Sequence, residues 1–155
     1  MSFTFEIESA ASAPRLFKAA GLDWHNLAPK LAPEKIVSAA VLEGEGNAGS
    51  VRQFNFGAGA PFSHIKERLD FIDLENLEAK TTLIEGGGLG VVISSASTHI
   101  KVEPKAGGSV VKVTATCTPL AGVNAAEEAE KAKATFTEVV KGCEAFLLAN
   151  PDAYN

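Results

Sequence analysis

Phe3, Phe5 and Ile7 alternate with polar residues at the start of the chain, the period-two signature of a strand with one apolar face. The alternation then breaks. Ser12 followed by Pro14 marks a helix start, because proline is tolerated in a first helical turn, and the helix is expected to run through Arg15 to Ala20 and stop at Gly21. A second short helix is expected around Trp24 to Lys30, bounded by Pro29 and Pro33. Both are too short to be stable alone, so they must pack on something larger.

From Ile36 the pattern becomes β, with runs over Ile36–Leu42, Ser50–Phe56, Ser63–Asp73, Leu77–Ile84, Val91–Val102 and Ser109–Thr118. Between them lie Gly57-Ala58-Gly59-Ala60-Pro61, Gly86-Gly87-Gly88-Leu89-Gly90 and Lys105-Ala106-Gly107-Gly108, which are turn sequences that join antiparallel neighbours without crossover helices. With the first run, that makes seven strands. After Pro119 the chain turns rich in Ala, Glu and Lys, and Ala125, Ala129, Ala132, Phe136, Val139, Val140, Cys143 and Leu147 recur at three- and four-residue steps. This predicts one long helix over Ala125–Ala149, stopped by Pro151.

The segment Leu42-Glu43-Gly44-Glu45-Gly46-Asn47-Ala48-Gly49-Ser50-Val51 lies between two strand-like runs. A phosphate-binding loop or dinucleotide fingerprint would run from strand into helix, and here no helix follows. Gly44, Gly46 and Gly49 therefore read as backbone positions of a strand-to-strand turn, with Glu43 and Glu45 repelling any anion.

Composition narrows the function classes. The 155 residues suit a single domain, 1–155, able to bury a core without metals or disulfides. A formal net charge of −5 offers no attraction to nucleic acid or an anionic membrane. Cys117 and Cys143 have no Cys-x-x-Cys or histidine pattern around them and read as buried free thiols, so neither a metal nor another cofactor is expected. The start Met1-Ser2-Phe3-Thr4-Phe5-Glu6 has no leader character, and the expectation is a cytoplasmic monomer off the membrane.

A long sheet must bury one face, and the C-terminal helix is the only element able to cover it. Its stripe is thin at Ala125, Ala129 and Ala132, and the facing strand positions Ala79, Thr81, Ala96, Thr98 and Ala115 are small too. Such surfaces either close up or leave a hole, and a curved sheet cannot close on a straight helix along its whole length. Period two nominates the lining: Phe54 and Phe56; Ile65, Glu67, Leu69 and Phe71; Leu83 after Thr81; Ile100 and Val102; Val111, Val113 and Cys117. Ile36 from the second strand and Ala132, Phe136 and Val139 from the helix complete it, with Phe62 and Leu89 on turns at the mouth.

Together with the glycine segment, the motifs Ala60-Pro61-Phe62, Ile65-Lys66-Glu67-Arg68-Leu69-Asp70, Ile84-Glu85-Gly86-Gly87 and Leu147-Leu148-Ala149-Asn150-Pro151-Asp152-Ala153-Tyr154-Asn155 resemble, in order and spacing, the Bet v 1 family, the class-ten intracellular pathogenesis-related proteins of plants. The resemblance spans essentially the whole chain. It implies an α+β helix-grip fold: a seven-stranded antiparallel sheet gripping the long helix, two short helices as a V-shaped support, and a large hydrophobic cavity. It also implies a role in binding flavonoids, cytokinins, sterols or other plant metabolites as a carrier or store in defence and stress. Against the family pattern, Ala20, Ala28, Ala79, Thr81 and Cys117 stand where large aromatics face the cavity, and Phe136 stands where glycine does, which suggests a roomier and less polar pocket.

Chemistry has few candidates. Glu67 sits on an apolar strand face, where a carboxylate could act as acid or base or simply pair with Lys or Arg. His64, His25 and His99 lack partners at metal-ligand spacing. The resemblance opens three further roles: an enzyme or accessory protein of secondary metabolism using Glu67 or His64, a ribonuclease, or an abscisic-acid-receptor-like regulator of a phosphatase. For the first, no lysine or tyrosine falls on the inner faces. For the second, Glu45, Arg52 and Glu144 could stand in, but Phe146 replaces a tyrosine. For the third, the turn reads Glu85-Gly86-Gly87-Gly88-Leu89-Gly90 in place of a Ser-Gly-Leu-Pro-Ala gate, and no His-Arg-Leu latch occurs.

Overall fold

Seven strands alternate as the hydrophobic pattern requires and assemble into one sheet in the computed structural model, which describes residues 1–155. The elements are β1 (Ser2–Ser9), α1 (Ala13–Leu16), α2 (Trp24–Leu31), β2 (Ile36–Glu43), β3 (Val51–Phe56), β4 (His64–Asp73), β5 (Glu78–Gly86), β6 (Ile93–Lys105), β7 (Gly108–Pro119) and α3 (Ala125–Ala149). The largest boundary shift is in β6, expected over Val91–Val102. Neighbours in the order β1-β7-β6-β5-β4-β3-β2 are all antiparallel, so the six strands β2 to β7 form a meander and β1 joins its far edge beside β7.

The support helices differ from their sequence reading. The first is α-helical only over Ala13–Leu16 and then widens into a π-helical turn, Phe17–Leu22, so that Gly21 lies within it. The backbone N–H of Asp23 closes this turn on the Lys18 carbonyl at 2.9 Å, and the Gly21 carbonyl accepts from Arg52 at 3.1 Å. Pro29 does not bound α2; it lies inside it. Its ring removes one donor, but Ala32 N–H still reaches the Ala28 carbonyl at 2.8 Å and completes the last turn.

Strand β4 carries two register shifts, between Lys66 and Glu67 and between Leu69 and Phe71. The second corrects the simple alternation: Leu69 faces inward opposite Thr81, Phe71 is turned out opposite Lys80, and Ile72 replaces it inside opposite Ala79. Leu69 is fully buried while Phe71 is 43% exposed. An extra residue in one strand inverts the parity that follows it.

Helix α3 covers the sheet unevenly. Its start is capped by the Asn124 side chain, which accepts from the N–H groups of Ala126 (3.0 Å) and Glu127 (3.2 Å). In its C-terminal half Val140, Cys143 and Leu147 are buried against Ile7, Val111 and Val113 of β1 and β7, with Leu16 and Phe17 below. Its alanine-rich first half is only partly covered. At the far end Arg15 donates to the carbonyls of Leu147 (3.1 Å), Asn150 (2.8 Å) and Ala153 (2.9 Å), satisfying acceptors that a helix end leaves open.

Candidate functional site

Where the thin middle of α3 passes over the sheet, a cavity of about 220 Å³ opens between them. Its wall takes Ile36 from β2, Phe54 and Phe56 from β3, Ile65 and Glu67 from β4, Ala79 and Thr81 from β5, Thr98 and Ile100 from β6, and Phe136 and Val139 from α3. Each strand contributes residues of one parity, because only alternate side chains reach the concave face. Phe136 is held by Phe5 of β1, ring centroids 5.9 Å apart.

Five wall residues were not among those nominated by periodicity. Ala20, Gly21 and Trp24 come from the π-helical turn and the start of α2, whose placement is a tertiary matter; Ala20 was reached only through the family pattern. Thr135 precedes Phe136 on α3, and Arg52 shares parity with Phe54 and Phe56 on β3, a signal that was legible. The remaining nominated residues lie outside the wall. Leu69, Ala115 and Cys117 are buried beside it, Leu69 paired with the wall residue Thr81, Ala115 with the wall residue Thr98, and Cys117 with Ala96. Ala132 lies one turn before Phe136 on α3. Phe62 and Leu89 sit at the β3–β4 and β5–β6 turns, with the Phe62 ring against Gly88 and Leu83 beside Gly87.

The cavity has a polar end. Arg52 Nη2 donates to Glu67 Oε1, its directly opposed partner across β3 and β4, and Arg52 Nη1 donates to the carbonyls of Gly21 (3.1 Å) and Leu22 (3.5 Å). The guanidinium carbon lies 5.6 Å from the Phe54 ring centroid. Arg52 Nε is buried without a partner, as is His25 Nδ1 on α2. Burial, then the Arg52 charge, holds the His25 imidazole below its ordinary pKa, against the opposing pull of Asp23 and Glu67. The pocket thus joins an apolar wall to one charged pair.

The other candidates fall elsewhere. His64 Nε2 meets Glu85 Oε2 at 2.7 Å, with Lys66 on the same oxygen at 3.1 Å, and neither His64 nor Glu85 belongs to the cavity wall. His99 pairs with Glu78 at 3.2 Å beside Lys101. Cys117 and Cys143 are free and buried. No group of three or more His, Cys, Asp or Glu side chains is arranged to hold a metal ion, and no helix is long and apolar enough to cross a membrane.

The glycine segment closes on itself. Gly44, Gly46 and Gly49 all have positive φ, at 81°, 94° and 93°. Ser50, buried to 1% exposure, accepts from Gly46 N–H at 2.9 Å and donates to Asn47 Oδ1 at 3.2 Å. Its hydroxyl thus occupies a place where an anion would need a free N–H.

Comparison with known proteins places this architecture. A family model described as "Pathogenesis-related protein Bet v 1 family" matches residues 1–150. "Pathogenesis-related protein 1" of Asparagus officinalis is 49% identical over 155 residues, covering 99% of this chain and 97% of that protein. "Major allergen Pru ar 1" of Prunus armeniaca is 43% identical, covering 99% and 98%. "Probable intracellular pathogenesis-related protein T1" of Catharanthus roseus is 38% identical, covering 98% of each. Among solved structures, Ara h 8.0201 superposes with a TM-score of 0.84 at 28% identity, over 97% of this chain and 99% of that one.

Proposed function

Because the chain belongs to the pathogenesis-related protein Bet v 1 family, we propose that it binds hydrophobic plant small molecules in the cavity beneath α3 and carries or stores them in defence and stress. The whole chain, 1–155, acts as one ligand-binding domain in the cytoplasm. The observation that supports this most is the wall itself: aromatic and aliphatic side chains on three sides, with the Arg52–Glu67 pair at one end. Apolar area supplies the affinity and the polar end orients the ligand.

The volume bears on ligand size. About 220 Å³ favours compact ligands over sterols, so the smaller members of the flavonoid and cytokinin classes are the first expected to bind. Burying about 250 Å² of apolar ligand surface contributes about 6 kcal/mol before the cost of immobilising the ligand, so micromolar or weaker affinity is expected. A ligand atom able to accept from Arg52 Nε would satisfy a donor that the protein leaves unmatched.

The test is a titration with flavonoids, cytokinins, sterols and an apolar dye, following Trp24, which lines the cavity and is the only tryptophan. Saturable, mutually competitive binding at one site per chain is expected. Absence of saturation, or binding unchanged in Val139→Trp, which fills the cavity, would overturn the reading.

A further inference from the structure

The cavity corner formed by Ala20, Gly21 and Trp24 is the part of the wall built from the π-helical turn and the start of α2 rather than from the sheet or from α3. It is pinned from two sides. From within, Arg52 holds the Gly21 and Leu22 carbonyls at 3.1 Å and 3.5 Å. From outside, the Tyr154 hydroxyl donates to Asp23 Oδ2, one residue before Trp24, while Asn26 Nδ2 donates to Asp23 Oδ1 at 2.6 Å.

Tyr154 is carried there by a tail that is itself tied down. Arg15 holds the Asn150 and Ala153 carbonyls at 2.8 Å and 2.9 Å, and Lys18 reaches the Asn155 carbonyl at 3.3 Å. The Tyr154 backbone has φ +58°, a left-handed conformation that bulky side chains rarely adopt, and its ring meets Phe146 edge-on with centroids 6.4 Å apart. The strained backbone aims the phenol at Asp23.

We propose that the C-terminal tail is a strap that sets how readily the cavity opens at its Ala20–Trp24 corner, with Tyr154 as its positioning residue; this rests on the ligand-binding reading above. A hydrogen-bonded sheet cannot part locally without losing several cross-strand bonds, whereas the tail holds the corner from outside by one side-chain bond to Asp23, whose loss leaves the Arg52 contacts from within and makes opening more frequent. Ligands larger than the resting cavity enter by this route, and the strap reseals it.

The variant that isolates the strap is Tyr154→Phe, which keeps the ring on Phe146 and removes only the hydroxyl. Stopped-flow mixing with 1-anilinonaphthalene-8-sulfonate should show association and dissociation both faster by about fivefold, the factor given by losing one hydrogen bond of ordinary net strength, with Kd little changed. Amide exchange at Leu22 to His25, which needs no ligand, should accelerate by the same factor while the unfolding midpoint falls by no more than that one bond accounts for, about 2–4 °C. Asp23→Asn, which weakens the same bond, should move both readouts in the same direction and serves if Tyr154→Phe does not fold. Wild-type exchange at these amides in both variants would overturn the strap, as would unchanged dye kinetics. Dye binding that survives Val139→Trp would instead sink the cavity reading, leaving the exchange measurement to decide the strap.

Discussion

Arg52 and Glu67 are opposed partners on β3 and β4 whose side chains pair inside the cavity wall, the arginine at 4% side-chain exposure and the glutamate at 19%. Breaking a buried pair leaves one charge without compensation, and costs about 3–5 kcal/mol. Because Glu67 keeps some contact with water, Glu67→Ala should cost about 3 kcal/mol, at the lower end. Arg52→Met combined with Glu67→Leu should recover most of that loss, because no charge then stays buried. Denaturant unfolding of the three variants checks it; a double variant less stable than Glu67→Ala would contradict the account.

His25 makes stability depend on pH. Burial and the Arg52 charge hold its folded pKa below the ordinary imidazole value of about 6.5, so below that pH the unfolded chain binds a proton that the folded protein resists. The stability from a neutral His25 is complete above about 6.5 and is lost as pH falls from there toward the lower folded value. The unfolding midpoint should drop across that window in wild type, and the drop should shrink in His25→Gln. An equal slope in both proteins would show that another group is responsible.

The glycines of the β2–β3 connection should respond unequally to alanine. At Gly46 (φ +94°) a Cβ meets nothing within 4 Å, so only backbone strain applies, about 1 kcal/mol. At Gly44 (φ +81°) it would lie 2.4 Å from Ser50 Oγ and 3.0 Å from Ser50 Cα. Displacing Ser50 leaves Gly46 N–H unmatched and adds about 1–2 kcal/mol. Gly44→Ala should therefore be clearly less stable than Gly46→Ala, and Ser50→Ala should show the hydrogen-bond part alone; equal midpoints for the two alanine variants would refute this.

Cys143 should be chemically silent. It is fully buried, and burial pushes its thiol up to about 12, far above the pH at which thiolates are alkylated. Native protein treated with iodoacetamide at pH 8 should remain unmodified at Cys143 and react after denaturant is added. Native modification at this residue would mean that α3 lifts from β1 and β7 more often than its packing suggests.

The strand runs and α3 were legible because their apolar periods are long and glycine or proline marks their ends. The widening of the first helix was not, since Arg52 stabilises the π turn from a distant strand and nothing in Phe17–Leu22 announces it. Phe71 looked inward by parity until the shift after Leu69 reversed it. Arg52 had the parity of Phe54 and Phe56, yet a charged residue on an apolar face is easily read as an edge or surface position when its partner is unknown. Ala115 and Cys117 on β7 share the inner face, and Ala115 pairs with the wall residue Thr98, yet the wall itself ends at β6.

Sequence by itself determined the seven strands, the long C-terminal helix, the turn glycines and the family, because each rests on local periodicity, backbone permissiveness or motif order within a few residues. Tertiary structure alone decided that β1 closes against β7, which of the inward-facing side chains surround the cavity, that Arg52 and Glu67 face each other there, and that Tyr154 reaches Asp23 across 131 positions of chain. Those outcomes depend on sheet curvature, bulges and the meeting of residues far apart in sequence, and no local pattern encodes where two distant segments come to rest.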